Sequence, residues 1–174
     1  TYGSSADSEY SASDITFDDH AHPTFTFVKK GQPVAQFSLR VPGIHNVWNA
    51  TAALALGDLL GIDIETMKKG LSEFSGADRR FEKKGEIGGV TIIDDYAHHP
   101  QEIAATLSTA ENYPHRELWC VFQPHTYTRT RALMDDFAEA LSAADHVVLA
   151  DIYAARETDT LGISSSMLAE KIAG

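Results

Sequence analysis

The sequence contains one cysteine and no long apolar stretch, and each absence excludes a class of protein. A lone cysteine cannot form an internal disulfide, and Cys120 lies in an apolar run, which predicts a packing residue that suits a reducing cytosol. No run approaches the roughly 20 apolar residues needed to span a bilayer. Neither a disulfide-stapled scaffold nor a helical membrane protein fits this chain.

Basic residues are scarce. The 174 residues include 14 Lys and Arg against 25 Asp and Glu, for a formal net charge of −11. Such a surface repels nucleic acid and anionic membranes unless a local basic patch intervenes, and the sequence has no run of basic residues. We therefore expect neither nucleic acid nor membrane as a partner. The 43% of hydrophobic residues indicates an ordinary globular chain.

Three catalytic or phosphate-binding motifs are missing from the sequence. It contains no Gly-x-x-x-x-Gly-Lys-Ser/Thr loop, no Gly-x-Gly-x-x-Gly and no Gly-x-Ser-x-Gly. The chain thus has no phosphate-cradling loop of its own. It also opens without Met in a β-rich region and stops within a helical pattern, so we expect a fragment of a longer protein.

The first 77 residues are predicted to hold strands followed by two helices. Residues 1–13 look like weak structure formers, and the polar stretch 75–78 reads as a linker, which places a domain boundary between 77 and 78. The predicted strands are 15–17, 24–28 and 34–41, and the predicted helices are 46–60 and 64–74.

Residues 78–174 alternate strands with helices. This order predicts an α/β fold with a parallel, doubly wound, Rossmann-like βαβαβα sheet. The predicted strands are 90–93, 118–122 and 147–150, and the predicted helices are 100–111, 129–143 and 164–173.

Each of these three strands leads into polar residues. The clusters are 94–100, 123–131 and 151–153. Ligands of open α/β sheets bind at the carboxyl ends of the strands, so we expect the functional site there. Arg129 and Arg131 would lie at the start of a helix, where cations oppose the helix dipole, and this favours a role in binding an anion.

Two further segments carry candidate ligand-binding residues. Asn46 and Asn49 lie three apart on a predicted helix, and amide side chains both donate and accept, as reading an adenine edge requires. A role of His45 or Asn46 as a helix cap is equally open. Arg79-Arg80 can bind phosphate bidentately or form a solvated surface pair.

The 94–100 cluster has several possible roles. A carboxylate at a strand end can bind a ribose diol, or Mg²⁺ through water. The neighbouring His98 and His99 could suggest zinc, but the sequence offers no further ligands that complete a zinc site, so we expect no metal ligands in this chain.

Taken together, these motifs resemble the Mur ligases, the ATP-dependent amino-acid ligases of peptidoglycan synthesis. The resemblance covers residues 15–174. It is carried by Val41-Pro42-Gly43-x-His45-Asn46-x-x-Asn49-Ala50, Phe74-x-Gly76-x-x-Arg79-Arg80-Phe81, Asp94-Asp95-Tyr96-Ala97-His98-His99-Pro100, Phe122-Gln123-Pro124-His125-x-Tyr127-x-Arg129-Thr130 and Asp151-Ile152-Tyr153-Ala154-Ala155-x-Glu157.

Within the family, the motifs look most like those of members that join L-alanine to UDP-N-acetylmuramate. Members that recycle murein tripeptide share the 94–100 element but usually lack the 122–130 element. The resemblance implies that 1–77 is the C-terminal part of a central ATP-binding domain and 78–174 a truncated C-terminal ligase domain of a bacterial cytoplasmic enzyme.

The resemblance also implies a chemistry, in which ATP converts the substrate carboxylate to an acyl phosphate that the amino acid's amine attacks. ATP and Mg²⁺ are the implied cofactors, with the P-loop and the principal Mg²⁺ ligands expected upstream. The implied site residues are His45, Asn46 and Asn49 for adenine or the nucleotide, Arg80 for phosphates, Asp95 for ribose, and Tyr96, His98, His125 and Arg129 for alanine and the acyl phosphate.

Of these residues, Arg80, His98, His125 and Arg129 are the expected catalytic set. Thr126 stands where the family often has Arg, which removes a second cationic contact. Two alternatives remain open from the sequence: a murein tripeptide recycling ligase of the same family, and a nucleotide-binding module without catalysis. The order and number of the motifs argue strongly against an unrelated doubly wound domain, such as a response-regulator-like or hydrolase domain.

Overall fold

The computed structural model describes residues 1–5, 7–158 and 161–174. The chain divides into two compact units. The first comprises residues 1–95 with 112–114, and the second comprises 96–111 with 115–174. No helix among the described residues is long and apolar enough to cross a membrane.

The first unit begins with a three-stranded antiparallel sheet packed on two helices. Its strands are β1 (Tyr10–Phe17), β2 (Pro23–Lys29) and β3 (Gln32–Ser38), in that order, and its helices are α1 (Ile44–Leu59) and α2 (Ile64–Glu73). Alternate residues of β2 face inward, so that Phe25 and Phe27 pack with Val47 and Leu54 of α1 in a buried core. The 1–13 segment is more ordered than predicted, because β1 begins at Tyr10.

A second hairpin completes the first unit and corrects one prediction. Strands β4 (Glu82–Ile87) and β5 (Val90–Asp94) pair antiparallel through Gly88-Gly89, whose φ angles of 60° and 80° suit a two-residue hairpin turn. The prediction that strand 90–93 joins the parallel sheet is therefore wrong. β4 escaped prediction because its sequence, Glu-Lys-Lys-Gly-Glu-Ile, has little β propensity.

The second unit packs helices against a parallel pair of strands. β6 (Trp119–Phe122) and β7 (His146–Leu149) pair in register from Trp119–His146 to Phe122–Leu149. The helices are α3 (Pro100–Glu111), α4 (Tyr127–Ala132), α5 (Met134–Leu141) and α6 (Ser165–Ala173). The buried core consists of Ile103, Leu107, Phe122, Phe137, Ala138, Leu141 and Leu168.

The α/β class and most element positions are confirmed. The helix predicted over 129–143 is instead two helices, α4 and α5, because Leu133 leaves the helical region with φ −117° and ψ 24°. Arg129 and Arg131 consequently lie in the last turn of α4. Arg131 therefore does not occupy a helix start, whereas Arg129 is the third residue of this six-residue helix and lies in its first turn as well. Cys120 is free and half-buried, and burial raises the pKa of its thiol.

Candidate functional site

His45 lies in the first turn of α1 and is half-buried. Its Nδ1 is buried and has no hydrogen-bond partner among the described residues. Burial lowers the pKa of the imidazole; the charge of Asp95 acts against this and that of Arg80 reinforces it. The neutral ring is thus favoured, and its Nδ1 is available to a ligand. Because the charges of Arg80 and Asp95 act on the His45 ring, the three residues lie in one neighbourhood, here called the His45 cluster.

The two asparagines of α1 form a local hydrogen-bonded pair. Asn46 Nδ2 donates to Pro42 O at 2.8 Å, and Asn49 Nδ2 donates to Asn46 Oδ1 at 3.2 Å. The N-cap of α1 is Gly43, with φ 93° and no side-chain cap hydrogen bond, so the alternative that His45 or Asn46 caps the helix is wrong. Asn49 is exposed on the same helix face as Asn46.

Asp95 is anchored by the segment that carries the two arginines. Phe81 N–H donates to Asp95 Oδ2 at 2.8 Å, and Arg79 Nε lies 3.4 Å from Asp94 Oδ2. Both Arg79 and Phe81 have positive φ, 56° and 49°, which is uncommon outside glycine and often marks functional segments. The exposed Arg80 lies between them.

Tyr96 and His98 form a second group at the start of α3. Their rings meet edge to face with centroids 5.2 Å apart. His98 Nδ1 lies 2.9 Å from Tyr96 O, and because a carbonyl only accepts, this contact places the proton of a neutral ring on Nδ1. The Nε2 lone pair of His98 then remains to accept a proton.

Glu102 fixes the backbone of this segment. Its Oε2 accepts from His98 N–H at 3.0 Å and from His99 N–H at 3.2 Å. Glu102 is the third residue of α3, which begins at Pro100, so this is the reach-back half of a capping box. Sequence reasoning missed Glu102 as a site residue, although a proline followed two residues later by glutamate signals such a helix start.

The segments that follow β6 and β7 are joined by backbone hydrogen bonds. Thr126 N–H donates to Tyr153 O at 2.9 Å, and Tyr153 N–H donates to Pro124 O at 2.9 Å. The rings of His125 and Tyr153 lie 5.3 Å apart. The carboxyl ends of the two parallel strands thus lie side by side, as the sequence predicts for this pair. The strand before Tyr96, β5, belongs to a separate two-stranded sheet with β4 and is not hydrogen-bonded to β6 or β7.

Two nitrogens of this region lack partners. His125 Nδ1 and Arg129 NH1 are buried and make no hydrogen bond to any described residue. An unpaired buried guanidinium nitrogen is costly unless an anion occupies the site. We call His125 and Arg129 the His125 cluster. Whether it forms one pocket with Tyr96 and His98 stays a prediction.

Residues 1–5, 7–158 and 161–174 contain no group of three or more His, Cys, Asp or Glu side chains arranged to hold a metal ion.

The fold places the chain among α/β proteins whose polar residues follow their strand ends. Residues 79–174 match the family model described as Mur ligase, glutamate ligase domain. The chain belongs to the Mur ligase family. The matched region starts beside the 77/78 boundary suggested by sequence, whereas the compact units divide between residues 95 and 96, and the boundary stays a prediction.

Curated relatives extend the match over nearly the whole chain. The UDP-N-acetylmuramate–L-alanine ligase of Lachnospira eligens is 59% identical over 99% of this chain. That of Caldanaerobacter subterraneus subsp. tengcongensis is 51% identical over 99%. The chain spans only 38% and 37% of the lengths of these relatives.

Two solved structures of ligases also match the fold of this chain. The UDP-N-acetylmuramate–alanine ligase MurC of Thermotoga maritima matches with a TM-score of 0.80 and 33% identity, over 99% of this chain and 36% of that one. A murein peptide ligase of Psychrobacter arcticus matches with a TM-score of 0.57 and 30% identity, over 82% of this chain and 30% of that one.

Proposed function

We propose that this chain is part of a longer ATP-dependent ligase that joins L-alanine to UDP-N-acetylmuramate in bacterial peptidoglycan precursor synthesis. The observation that carries the proposal is 59% identity over 99% of the chain with a ligase of that name. The chain spans 38% of that relative, so we assign the UDP-sugar site and the P-loop to the remainder of the protein.

Within this proposal, residues 1–77 belong to the central ATP-binding domain and 78–174 to the C-terminal ligase domain of a cytoplasmic enzyme. The His45 cluster fits a nucleotide. A neutral imidazole with a buried, unpaired Nδ1 suits an uncharged base, and Asn49 offers an exposed amide beside it. Asp95 would contact the ribose and Arg80 the phosphates.

The His125 cluster fits the amino acid. The unpaired NH1 of Arg129 suits the carboxylate of L-alanine, because guanidinium and carboxylate form short, charge-assisted hydrogen bonds. His125, with its own unpaired nitrogen, would contact the acyl phosphate. The described residues hold no group of three or more His, Cys, Asp or Glu side chains arranged for a metal ion. As the family resemblance implies, we assign the principal Mg²⁺ ligands to the part of the protein upstream of this chain.

The residues of the second unit suit the amine-transfer step. The ammonium group of alanine must lose a proton before its nitrogen attacks. His98 Nε2 would accept this proton, because Nδ1 faces the Tyr96 carbonyl and the lone pair on Nε2 remains available. The nitrogen then forms the amide bond to the acyl carbon, and the carbon–oxygen bond to phosphate breaks. Arg129 and Tyr96 would hold the amino acid while this happens.

Recycling of murein tripeptide is the competing activity within the family. Its structural counterpart matches less of this chain and at a lower TM-score than the alanine ligase of T. maritima, 0.57 against 0.80. The Gln123–Thr130 element also favours the alanine-adding branch.

A phosphate-release assay on the full-length protein separates the two activities. UDP-N-acetylmuramate and ATP are supplied with L-alanine, with glycine, or with the tripeptide L-alanyl-γ-D-glutamyl-diaminopimelate. We expect release with L-alanine and little with the tripeptide. Phosphate release with the tripeptide alone would assign the protein to recycling. If none of the three acceptors supports phosphate release, a nucleotide-binding module would be the better description.

A further inference from the structure

The N-terminus of helix α4 lacks a hydrogen bond from its own N-cap side chain. Its N-cap residue is Thr126, with φ 68° and ψ 141°, and the Thr126 side chain makes no cap hydrogen bond. The first N–H groups of a helix have no partner inside the helix and are normally satisfied by the N-cap side chain. In α4 the N–H of Thr128 needs an acceptor from elsewhere.

Glu157 supplies that acceptor from 29 residues further along the chain. Thr128 N–H donates to Glu157 Oε2 at 3.0 Å, and the Thr128 hydroxyl donates to Glu157 Oε1. These two hydrogen bonds and the nearby charge of His125 lower the pKa of Glu157. The carboxylate is thus ionised at neutral pH, which also suits the positive end of the helix dipole.

The same stretch of chain is held at two more points. Tyr153 accepts from Thr126 N–H and donates to Pro124 O, so three residue pairs connect 124–128 with 153–157. A positive φ at a β-branched residue is strained and persists only where its surroundings hold it. Thr126 is so held: its N–H is bound to Tyr153, and its carbonyl accepts from the N–H and hydroxyl of Thr130 at 3.1 and 2.7 Å.

Arg129 directly follows Thr128 and is the residue that this arrangement affects. The buried NH1 of Arg129 has no hydrogen-bond partner among the described residues, so no hydrogen bond at NH1 holds that nitrogen, and a shift of the α4 backbone would move it. We propose that Glu157 is a positioning residue for amino-acid binding, which fixes the first turn of α4 so that Arg129 meets the carboxylate of L-alanine. This inference rests on the proposed function.

A purely structural role for Glu157 makes a different prediction. Loss of an ordinary cap lowers the melting temperature and leaves the Michaelis constants unchanged. Loss of a positioning contact raises KM for the one substrate that Arg129 holds and leaves KM for ATP alone. The split between the two substrates is therefore the informative readout.

The test uses the full-length ligase with Glu157→Ala, Thr128→Val and Thr128→Ser, and with the exposed Glu170→Ala as a matched control. We expect Glu157→Ala to raise KM for L-alanine roughly tenfold, the size expected when a hydrogen bond to a charged group is lost. Thr128→Val removes the hydroxyl and should raise KM for L-alanine by a smaller factor. Thr128→Ser retains the hydroxyl and should keep KM for L-alanine near that of the unsubstituted enzyme. Glu170→Ala should match the parent.

The outcomes separate the two proposals. An unsubstituted enzyme without alanine-dependent phosphate release would overturn the proposed function together with this inference. An active enzyme in which Glu157→Ala and Thr128→Val leave KM for alanine unchanged would overturn the positioning role alone. If Glu157→Ala fails to fold, Thr128→Val against Thr128→Ser decides, because both keep the backbone hydrogen bond.

Discussion

Three buried nitrogen atoms are the structural observations that support the proposed site residues. His45 Nδ1, His125 Nδ1 and Arg129 NH1 are buried side-chain atoms without partners among the described residues. Folded proteins leave few buried polar groups unsatisfied, so each of these nitrogens is a candidate contact for a ligand or an ordered water. All three belong to residues that the sequence nominates for binding.

Replacing Arg129 by Ala in the full-length ligase should raise KM for L-alanine about 10- to 100-fold, because a hydrogen bond to a charged group contributes about 1.5–3 kcal/mol. Steady-state kinetics with alanine as the varied substrate measure this. The exposed Arg131→Ala, two residues along the same helix, is the control and should leave KM near its original value. An unchanged KM in Arg129→Ala would show that another group binds the carboxylate.

His45 should make stability depend on pH. Its folded-state pKa lies below the ordinary value of 6.5, because burial disfavours the charged ring. The unfolded chain therefore binds the proton more readily than the folded chain does. The free energy of unfolding is consequently highest above pH 6.5 and decreases as the pH falls from 6.5 towards the folded-state pKa of His45. Urea unfolding of the chain at pH 7.5 and 5.5 should show a smaller loss of stability for His45→Gln than for the parent. Equal losses would contradict this account.

The residue types of the site could be read from the sequence, but their contacts could not. Motifs identify His45, Asp95 and Arg129 as candidates. Nothing in the local sequence shows that Asp95 accepts from Phe81 N–H or that Thr128 binds Glu157, because these partners lie 14 and 29 residues apart and meet only through the fold.

At the scale of elements, the capping hydrogen bonds at helix N-termini fix the backbone next to the candidate site residues. α2 begins with an ordinary cap, in which the Asp63 side chain accepts from Thr66 N–H, and α6 does so through Ser164. α3 relies on Glu102 reaching backwards, and α4 on Glu157 reaching across from the loop after β7. Both of these helices directly follow candidate site residues, but only α4 takes its cap from another part of the chain.

Replacing Glu102 by Ala should lower the free energy of unfolding by about 1 kcal/mol, the typical cost of losing a helix cap. Glu102→Gln keeps an acceptor oxygen and should lose less. The matched control is Glu111→Ala at the other end of α3, where removal of an exposed carboxylate from the negative end of the helix should be neutral or slightly stabilising. Urea denaturation measures all three, and an equal loss for Glu102→Ala and Glu111→Ala would contradict the capping role.

Element prediction succeeded where hydrophobic periodicity was strong and failed where pairing decided the outcome. The α3 bounds, 100–111, follow from Pro100 at the first helical position and from the spacing of Ile103 and Leu107. The apolar run of β5 correctly predicts a strand but carries no information about its partner. The Gly88-Gly89 pair was the available signal for a hairpin, and it points to antiparallel pairing with β4.

At the scale of the whole molecule, each compact unit has its own buried core. Phe25, Phe27 and Leu54 lie at the centre of one, and Phe137, Leu141 and Leu168 at the centre of the other. The His45 cluster belongs to the first unit and the His125 cluster to the second. Under the proposed function, the first unit would carry the nucleotide-binding residues and the second the amino-acid-binding residues.

The measurement that tests the central claim most directly follows oxygen in the full-length ligase. UDP-N-acetylmuramate labelled with ¹⁸O in its carboxylate is incubated with ATP and L-alanine, and the products are analysed by mass spectrometry. Ligation through an acyl phosphate transfers one carboxylate oxygen to phosphate, so we predict singly labelled inorganic phosphate and an L-alanyl product that has lost one label. Unlabelled phosphate, or no alanyl product, would contradict the account.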